Sequence, residues 1–164
     1  MNFKNLNINI GSKAIFFIKF LVISTVLFLI YIPLSNIIFS ITISTTNVIM
    51  SLFGYGMLNL SIEKNADLSD VLINLNILAY AALILATPKI ETITTFKKVS
   101  FLLSGIIFLF LMNATFIASD TIFSYTGGTS VIAYLCIMFF GTYGQVFFPF
   151  VFWFFMAKKW IFKD

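Results

Sequence analysis

Four long apolar blocks, separated by short polar segments, constrain the fold of this chain more than any other feature. They cover about residues 14–34, 71–87, 99–118 and 130–157. A helix needs roughly 20 apolar residues to cross the hydrocarbon core of a bilayer. The 164 residues are 60% hydrophobic and only 10% charged, whereas soluble domains are about 25% charged. The sequence therefore predicts an all-α, polytopic membrane helical bundle of about four transmembrane helices, with residues 1–164 forming one integral membrane domain.

The first block follows Lys4 and Lys13, so a secretory signal peptide is the competing interpretation. Such peptides also begin with a charged segment and continue into an apolar core. The core here is longer, and no small-x-small cleavage site follows it. We therefore expect a retained transmembrane helix, with Lys19 extending its amine toward the near interface.

Residues 36–53 remain apolar but carry a polar stripe at helical spacing. The stripe consists of Asn36, Ser40, Ser44, Asn47 and Ser51. This pattern predicts an amphipathic helix that lies at the outer interface or re-enters the bundle. Its small polar residues either pack against neighbouring helices or line a cavity.

Gly54 and Gly56 are predicted to end this helix and to begin an outer polar loop over about residues 54–70. The loop contains three of the six acidic residues, namely Glu63, Asp67 and Asp70. Later in the chain, Gly127 and Gly128 indicate a turn, and Pro149 favours a bend in the long fourth block.

The distribution of lysine predicts the orientation of the bundle. With four spans and a cytoplasmic N-terminus, eight lysines lie in inner segments and only Lys64 lies in an outer segment. The inner lysines are Lys4, Lys13, Lys89, Lys97, Lys98, Lys158, Lys159 and Lys163. The positive-inside rule then predicts an N-in, C-in topology. A fifth span over residues 36–53 would reverse every later loop and destroy this asymmetry.

Several residue types needed for common chemistry are missing. The chain has no His and no Arg, and Cys136 is its only cysteine. These absences exclude an imidazole base, a bidentate guanidinium clamp, an intrachain disulfide and a cysteine zinc site. The apolar neighbours of Cys136 predict an inert thiol. We expect no catalytic residue, no metal and no cofactor, and the net charge of +4 lies at membrane boundaries rather than on a nucleic-acid-binding face.

Polar side chains in the outer half of the spans form the candidate site. Because such groups cost free energy in a membrane unless they are partnered, each is a possible functional residue. The candidate outer-face pocket consists of Asp70, Asn74, Asn113, Thr115 and Asp120. Two interpretations stay open, namely hydrogen bonding between helices and a polar pocket that opens outward.

The order of local patterns resembles the exosortase/archaeosortase family of membrane-embedded, sortase-like transpeptidases. The resemblance covers roughly residues 14–160 and rests on the stretches NVIMSLFGYGMLNLSIE, LINLNILAYAALILATP, LFLMNATFI and GQVFFPFVFWFFMAKKW. It implies an outer-face site with a Cys, an Arg and a His, in a bacterial or archaeal cytoplasmic membrane. The corresponding positions 70–74, 113–116 and 139–142 contain none of these three residue types. The resemblance thus implies the scaffold of that family without its catalytic residues.

These observations leave three hypotheses for function. The favoured one is a non-catalytic accessory or scaffold subunit of a membrane complex, whose partners are the lipid bilayer and other membrane proteins. The second is a membrane-embedded, protease- or transpeptidase-like enzyme that uses Asp70 and Asp120 as an acid/base pair. The third is a small transporter component whose stripe over residues 36–51 lines a path.

Overall fold

A computed structural model describes residues 3–56, 74–88 and 94–161, and it is all-helical within these ranges. Its elements are α1 (Phe3–Leu52), α2 (Leu75–Ala86), α3 (Thr95–Tyr125), α4 (Val131–Cys136), a π-helical segment (Ile137–Tyr143) and α5 (Gly144–Ile161). Helix α3 is central, because it packs against α1, α2, α4 and α5. The predicted outer loop lies outside the described residues beyond Gly56, and so does the start of the second apolar block.

Two described helices are long and apolar enough to cross a membrane. They are Lys13–Leu52 within α1 and Thr95–Tyr125, and a third span results if the bent pair Val131–Gly141 and Gly144–Lys158 is counted as one. Helix α2 is apolar but shorter in its described part. The all-helical architecture is confirmed for the described residues.

Helix α1 joins two segments that the sequence pattern predicts as separate. It runs through Pro33 without a break, so residues 36–53 continue the first span rather than forming a distinct helix. A proline removes one backbone hydrogen bond, and transmembrane helices tolerate this loss when local hydroxyls bond the nearby backbone. The Ser35 hydroxyl donates to the Ile32 carbonyl oxygen at 2.7 Å, whereas the carbonyl that loses its N–H partner at Pro33 is that of Leu29. At ~1.5 Å per residue, the 40-residue apolar part is ~60 Å long, about twice the hydrocarbon thickness.

Glycine ends α1 and α3 in the same way. Gly54 has φ +77°, and the backbone N–H groups of Gly54 and Tyr55 donate to the carbonyls of Ser51 and Met50. This is a Schellman motif, which satisfies carbonyls that lack helical partners. Gly127 and Gly128 form the equivalent closure after α3, with φ values of +60° and +82°. The predicted helix end at Gly54 and the predicted turn at Gly127 and Gly128 are confirmed.

The fourth block bends earlier than Pro149. Helix α5 contains Pro149, whereas the change of direction falls between Val131–Gly141 and Gly144–Lys158, whose axes differ by 52°. The π-helical segment occupies this junction. A Cβ at Gly141 would overlap the Phe116 ring, and one at Gly144 would lie 2.7 Å from the Phe139 carbonyl oxygen. The bend lies at two glycines, which have no side chain and so let neighbouring groups approach the backbone closely. Helices commonly bend at π-bulges and at glycines.

Aromatic side chains of α5 fill the space between the helices. The main core cluster contains Tyr80, Ile84, Leu109, Met112 and Met156, with Phe148, Phe152 and Trp153 packed against it. The Phe16 and Trp153 rings stack with centroids 5.6 Å apart, which connects α1 to α5. Other phenylalanines of the same helix are exposed, including Phe147, Phe150 and Phe155. The phenylalanine-rich segment therefore both packs the core and presents an apolar outer surface.

Candidate functional site

Three asparagines form the polar centre of the bundle. Asn74 precedes α2, Asn76 lies in its first turn, and Asn113 lies in α3. All three side chains are buried, and Asn113 is 0% exposed. Asn74 and Asn76 are two residues apart at the start of α2, and both of their carboxamides reach Asn113 on the facing helix.

The Asn113 carboxamide bonds both asparagines of α2. Its Nδ2 donates to Asn74 Oδ1 at 2.9 Å and to Asn76 Oδ1 at 3.0 Å. Its Oδ1 accepts from Asn76 Nδ2 at 2.9 Å. The Asn76 Oδ1 also accepts from the backbone N–H of Ile77 at 2.8 Å. Both hydrogens of the Asn113 NH₂ group are therefore donated in hydrogen bonds, and its oxygen accepts one.

Two threonines of α1 extend this network. Thr42 and Thr46 are both fully buried. Thr42 Oγ1 accepts from Asn74 Nδ2 at 3.5 Å, at the long limit for a hydrogen bond, and donates to the Ile38 carbonyl at 2.8 Å. The Thr46 hydroxyl lies 2.9 Å from the Thr42 carbonyl and 3.2 Å from the Ala114 carbonyl of α3. Tyr31 shares a further side-chain hydrogen bond with Asn74. The network thus joins α1, α2 and α3.

The asparagine–threonine network is closed with respect to hydrogen bonding. Across the described ranges, no fully buried side-chain nitrogen or oxygen is without a partner. An unsatisfied polar group would cost about 1–3 kcal/mol, so complete pairing stabilises this arrangement. Interhelical hydrogen bonding accounts for Asn74 and Asn113, and a ligand would have to break existing bonds to reach them.

The other predicted pocket residues lie apart from the network. Thr115 donates its hydroxyl to the Leu111 carbonyl at 2.8 Å within α3. Asp120 is exposed. Asp70 lies outside the described residues. The structure therefore brings together Asn74 and Asn113 of the predicted set, and it places Thr115 and Asp120 farther along α3.

A pocket of about 260 Å³ lies beyond this network, between the end of α1, the second half of α3 and the start of α4. Its lining includes Ile49, Thr115, Ala118, Ser119, Ala133 and Cys136. The wall is mainly apolar, with a few hydroxyl groups and the half-buried thiol of Cys136. Cys136 was expected to be surrounded by apolar groups in a span, and the structure places it at the edge of this space.

A second polar junction lies at the opposite end of α3. Lys98 Nζ donates to the Thr87 carbonyl oxygen at 2.7 Å, which caps the C-terminal end of α2. The Trp153 indole N–H donates to Thr87 Oγ1 at 2.8 Å, and that hydroxyl donates to the Leu83 carbonyl at 2.6 Å. This junction joins α2, α3 and α5. The sequence alone indicates for Lys98 only a charge at the membrane boundary.

The pocket predicted from the sequence does not include Asn76, Thr42, Thr46 or Ser119. Thr42 and Thr46 are four residues apart, and this spacing was the available signal for a second polar face on α1.

Among the described residues, no group of three or more His, Cys, Asp or Glu side chains is placed to hold a metal ion. Comparisons with protein-family models, curated proteins and solved structures give no match to this chain.

Proposed function

We propose that this chain is a non-catalytic integral membrane protein that serves as an accessory or scaffold subunit of a membrane complex. The observation that carries the proposal is the exposed part of the polar stripe of α1, because three of its five residues are exposed, whereas Ser40 and Asn47 are half-buried. Only 11% of the apolar window in Lys13–Leu52 is buried. The buried face of this part contains Thr42, Thr46 and Met50, whereas Asn36, Ser44 and Ser51 of the stripe are exposed.

The exposed stripe has the chemistry of a helix-packing surface. Ser44 and Ser51 donate their hydroxyls to backbone carbonyls of α1, those of Ser40 and Val48. These serines therefore present small surfaces with internally bonded hydroxyls, which allow a second helix to approach closely. An exposed asparagine such as Asn36 gains a hydrogen bond if the partner helix also offers a polar group. The partner expected from this chemistry is a transmembrane helix with small and hydrogen-bonding residues on one face.

The alternatives have less support. An acid/base enzyme would need Asp70 and Asp120 together, and Asp120 is exposed beyond the asparagine–threonine network. A transport path through the bundle would need the stripe to face the other described helices, yet Ser44 and Ser51 face away from them. The whole sequence also lacks the His and Arg on which many membrane enzymes and transporters rely.

The proposal includes a multi-pass topology with four spans, N-in and C-in, in a bacterial or archaeal cytoplasmic membrane. Its support is the lysine distribution, with eight inner lysines against one outer lysine. The exosortase-like fold belongs to the same proposal, and its support is the order of sequence patterns alone.

The test is native mass measurement of the tagged full-length protein, extracted from its own membranes in a mild detergent. We expect a discrete complex heavier than the monomer. The double variant Ser44→Leu/Ser51→Leu should dissociate it, because two leucines would keep the partner backbone away from the exposed part of the stripe. The matched control is Ile41→Leu/Val48→Leu on the exposed apolar side of the same helix. A monomer under every extraction condition, or a complex that tolerates the serine variant, would contradict the proposal.

A further inference from the structure

We propose that the pocket between α1, α3 and α4 binds a bilayer lipid, with part of an acyl chain inside it and the ester carbonyl bonded to Ser119. This inference does not need the protein partner of the proposed function, but it rests on the membrane placement in that proposal, with Lys98 at one interface.

Ser119 supplies an unused donor in a buried position. The residue is 7% exposed and lines the pocket. Within the described part of the chain, its hydroxyl makes no hydrogen bond, neither to the carbonyl four residues earlier nor to a neighbouring helix. No completely occluded side-chain nitrogen or oxygen among the described residues lacks a partner, so the unpaired Ser119 Oγ must be partly accessible. The Oγ atom is therefore open to the pocket, where a ligand acceptor would satisfy it.

The neighbouring hydroxyls behave differently. Thr115 donates to the Leu111 carbonyl, and Ser130 accepts from the backbone N–H of Ala133 as the N-cap of α4. Thr115 has therefore used its hydrogen, whereas the half-buried Ser130 is engaged only as an acceptor at the start of its own helix. Ser119 is the lining hydroxyl of α3 with its hydrogen still available, so the expected ligand group is a hydrogen-bond acceptor such as a carbonyl oxygen.

The depth of Ser119 suits the ester layer of a bilayer. Lys98 marks one interface near the start of α3, and Ser119 lies 21 residues farther along the same helix. At ~1.5 Å per residue this separation is ~32 Å, close to the roughly 30 Å thickness of the hydrocarbon core. Ser119 therefore reaches the opposite boundary, where the ester carbonyls of glycerolipids lie.

The wall and size of the pocket favour part of an acyl chain. Ala118 and Ala133 are buried at its base, and Ile49 and Ile122 contribute apolar sides. Phe53 and Ile132 at the rim are exposed, so the space opens at the outer surface of the described helices. The volume of about 260 Å³ is slightly below the roughly 300–1,000 Å³ of pockets that hold drug-sized ligands. A lipid would place only a segment of one chain in this space.

Cys136 provides a direct readout, because the chain has no other cysteine and this thiol lines the pocket. The experiment measures the alkylation rate of Cys136 by N-ethylmaleimide in maltoside micelles. A diester phosphatidylcholine is titrated in one series and the diether phosphatidylcholine with the same chains in another. Both lipids should slow alkylation. The diester should do so at about two- to tenfold lower concentration, because only its ester carbonyl can accept the hydrogen bond from Ser119, and one such bond changes affinity by about this factor.

The variant Ser119→Ala removes the donor without adding volume, and it should make the two lipids equally protective. The control variant Ser104→Ala removes an exposed serine hydroxyl on the same helix and should retain the diester preference. Equal protection of the unmodified protein by both lipids would overturn the bond to Ser119. Alkylation that neither lipid slows would overturn the lipid site itself.

Discussion

The carboxamides of Asn76 and Asn113 bond to each other in both directions, with N–O distances of 2.9 and 3.0 Å. The NH₂ group of each amide donates to the oxygen of the other. Sliding α2 along α3 would therefore break two hydrogen bonds at once. A third bond from Asn113 to Asn74 adds to the constraint at 2.9 Å. In a bilayer, where apolar packing surfaces compete with equally apolar lipid, such directional bonds specify how helices align.

Replacing Asn113 should therefore weaken the bundle. The variant Asn113→Leu removes three hydrogen bonds and leaves buried amides at Asn74 and Asn76 without their partner. We expect the free energy of unfolding to fall by about 2–3 kcal/mol. The measurement is unfolding by a denaturing detergent in mixed micelles. The variant Asn76→Leu/Asn113→Leu should cost less than the sum of the single changes, and strict additivity would contradict direct pairing.

Any side chain at position 105 should lower the stability of the bundle. The Tyr80 ring packs directly over Gly105, and a Cβ there would overlap ring and hydroxyl atoms. Tyr80 is 0% exposed, and its hydroxyl donates to the Phe101 carbonyl at 2.6 Å, so the ring cannot easily move. Gly105→Ala should lower the free energy of unfolding by about 1–3 kcal/mol in the same assay. Ser104→Ala on the exposed side is the control, and equal stability of the two variants would refute the close contact.

Lys98 and Lys97 should differ although they are neighbours with the same charge. The Lys98 amine caps the C-terminal end of α2 through the Thr87 carbonyl, whereas Lys97 is exposed. Lys98→Met should cost about 1–2 kcal/mol of stability through loss of a charge-assisted bond at a helix C-terminus. Lys97→Met should cost less than about 0.5 kcal/mol. The cap would be contradicted if both variants lost the same stability.

The proposed topology predicts which side of the membrane each loop occupies. In a Cys136→Ser background, a thiol introduced by Lys64→Cys should react with a membrane-impermeant maleimide on intact cells. Thiols introduced by Lys89→Cys and Lys163→Cys should react only after the membrane is permeabilised. Labelling of the Lys89→Cys protein in intact cells would exclude the N-in, C-in arrangement.

Local sequence signals located several helix ends well. Gly54 and the Gly127–Gly128 pair adopt positive φ angles that non-glycine residues rarely adopt, so their chemistry marks the end of α1 and of α3. Proline was a weaker guide. Pro33 and Pro149 both lie inside helices, and the sharp bend lies near Gly141 and Gly144 instead. A proline removes one helical bond, but the direction of a helix also depends on how closely its neighbours approach.

The candidate site shows a similar division. Asn74 and Asn113 were identified because polar groups in apolar blocks need partners, and the structure pairs them. Their partnership with Asn76 and Thr42 depends on the register of three helices, which no local pattern encodes. The contact between Gly105 and Tyr80 is of the same kind, since the two residues are 25 positions apart and belong to different helices.

The sequence by itself determined that this chain forms apolar helices, where glycine ends α1 and α3, and that it contains no His and no Arg. These properties follow from composition and from local backbone chemistry. Only the tertiary structure decided that Asn76 and Asn113 pair, that the stripe of Ser44 and Ser51 faces outward, and that Ser119 opens into a pocket. The physical reason is that hydrogen bonding and burial depend on which helix faces are in contact, and these contacts join residues far apart in the chain.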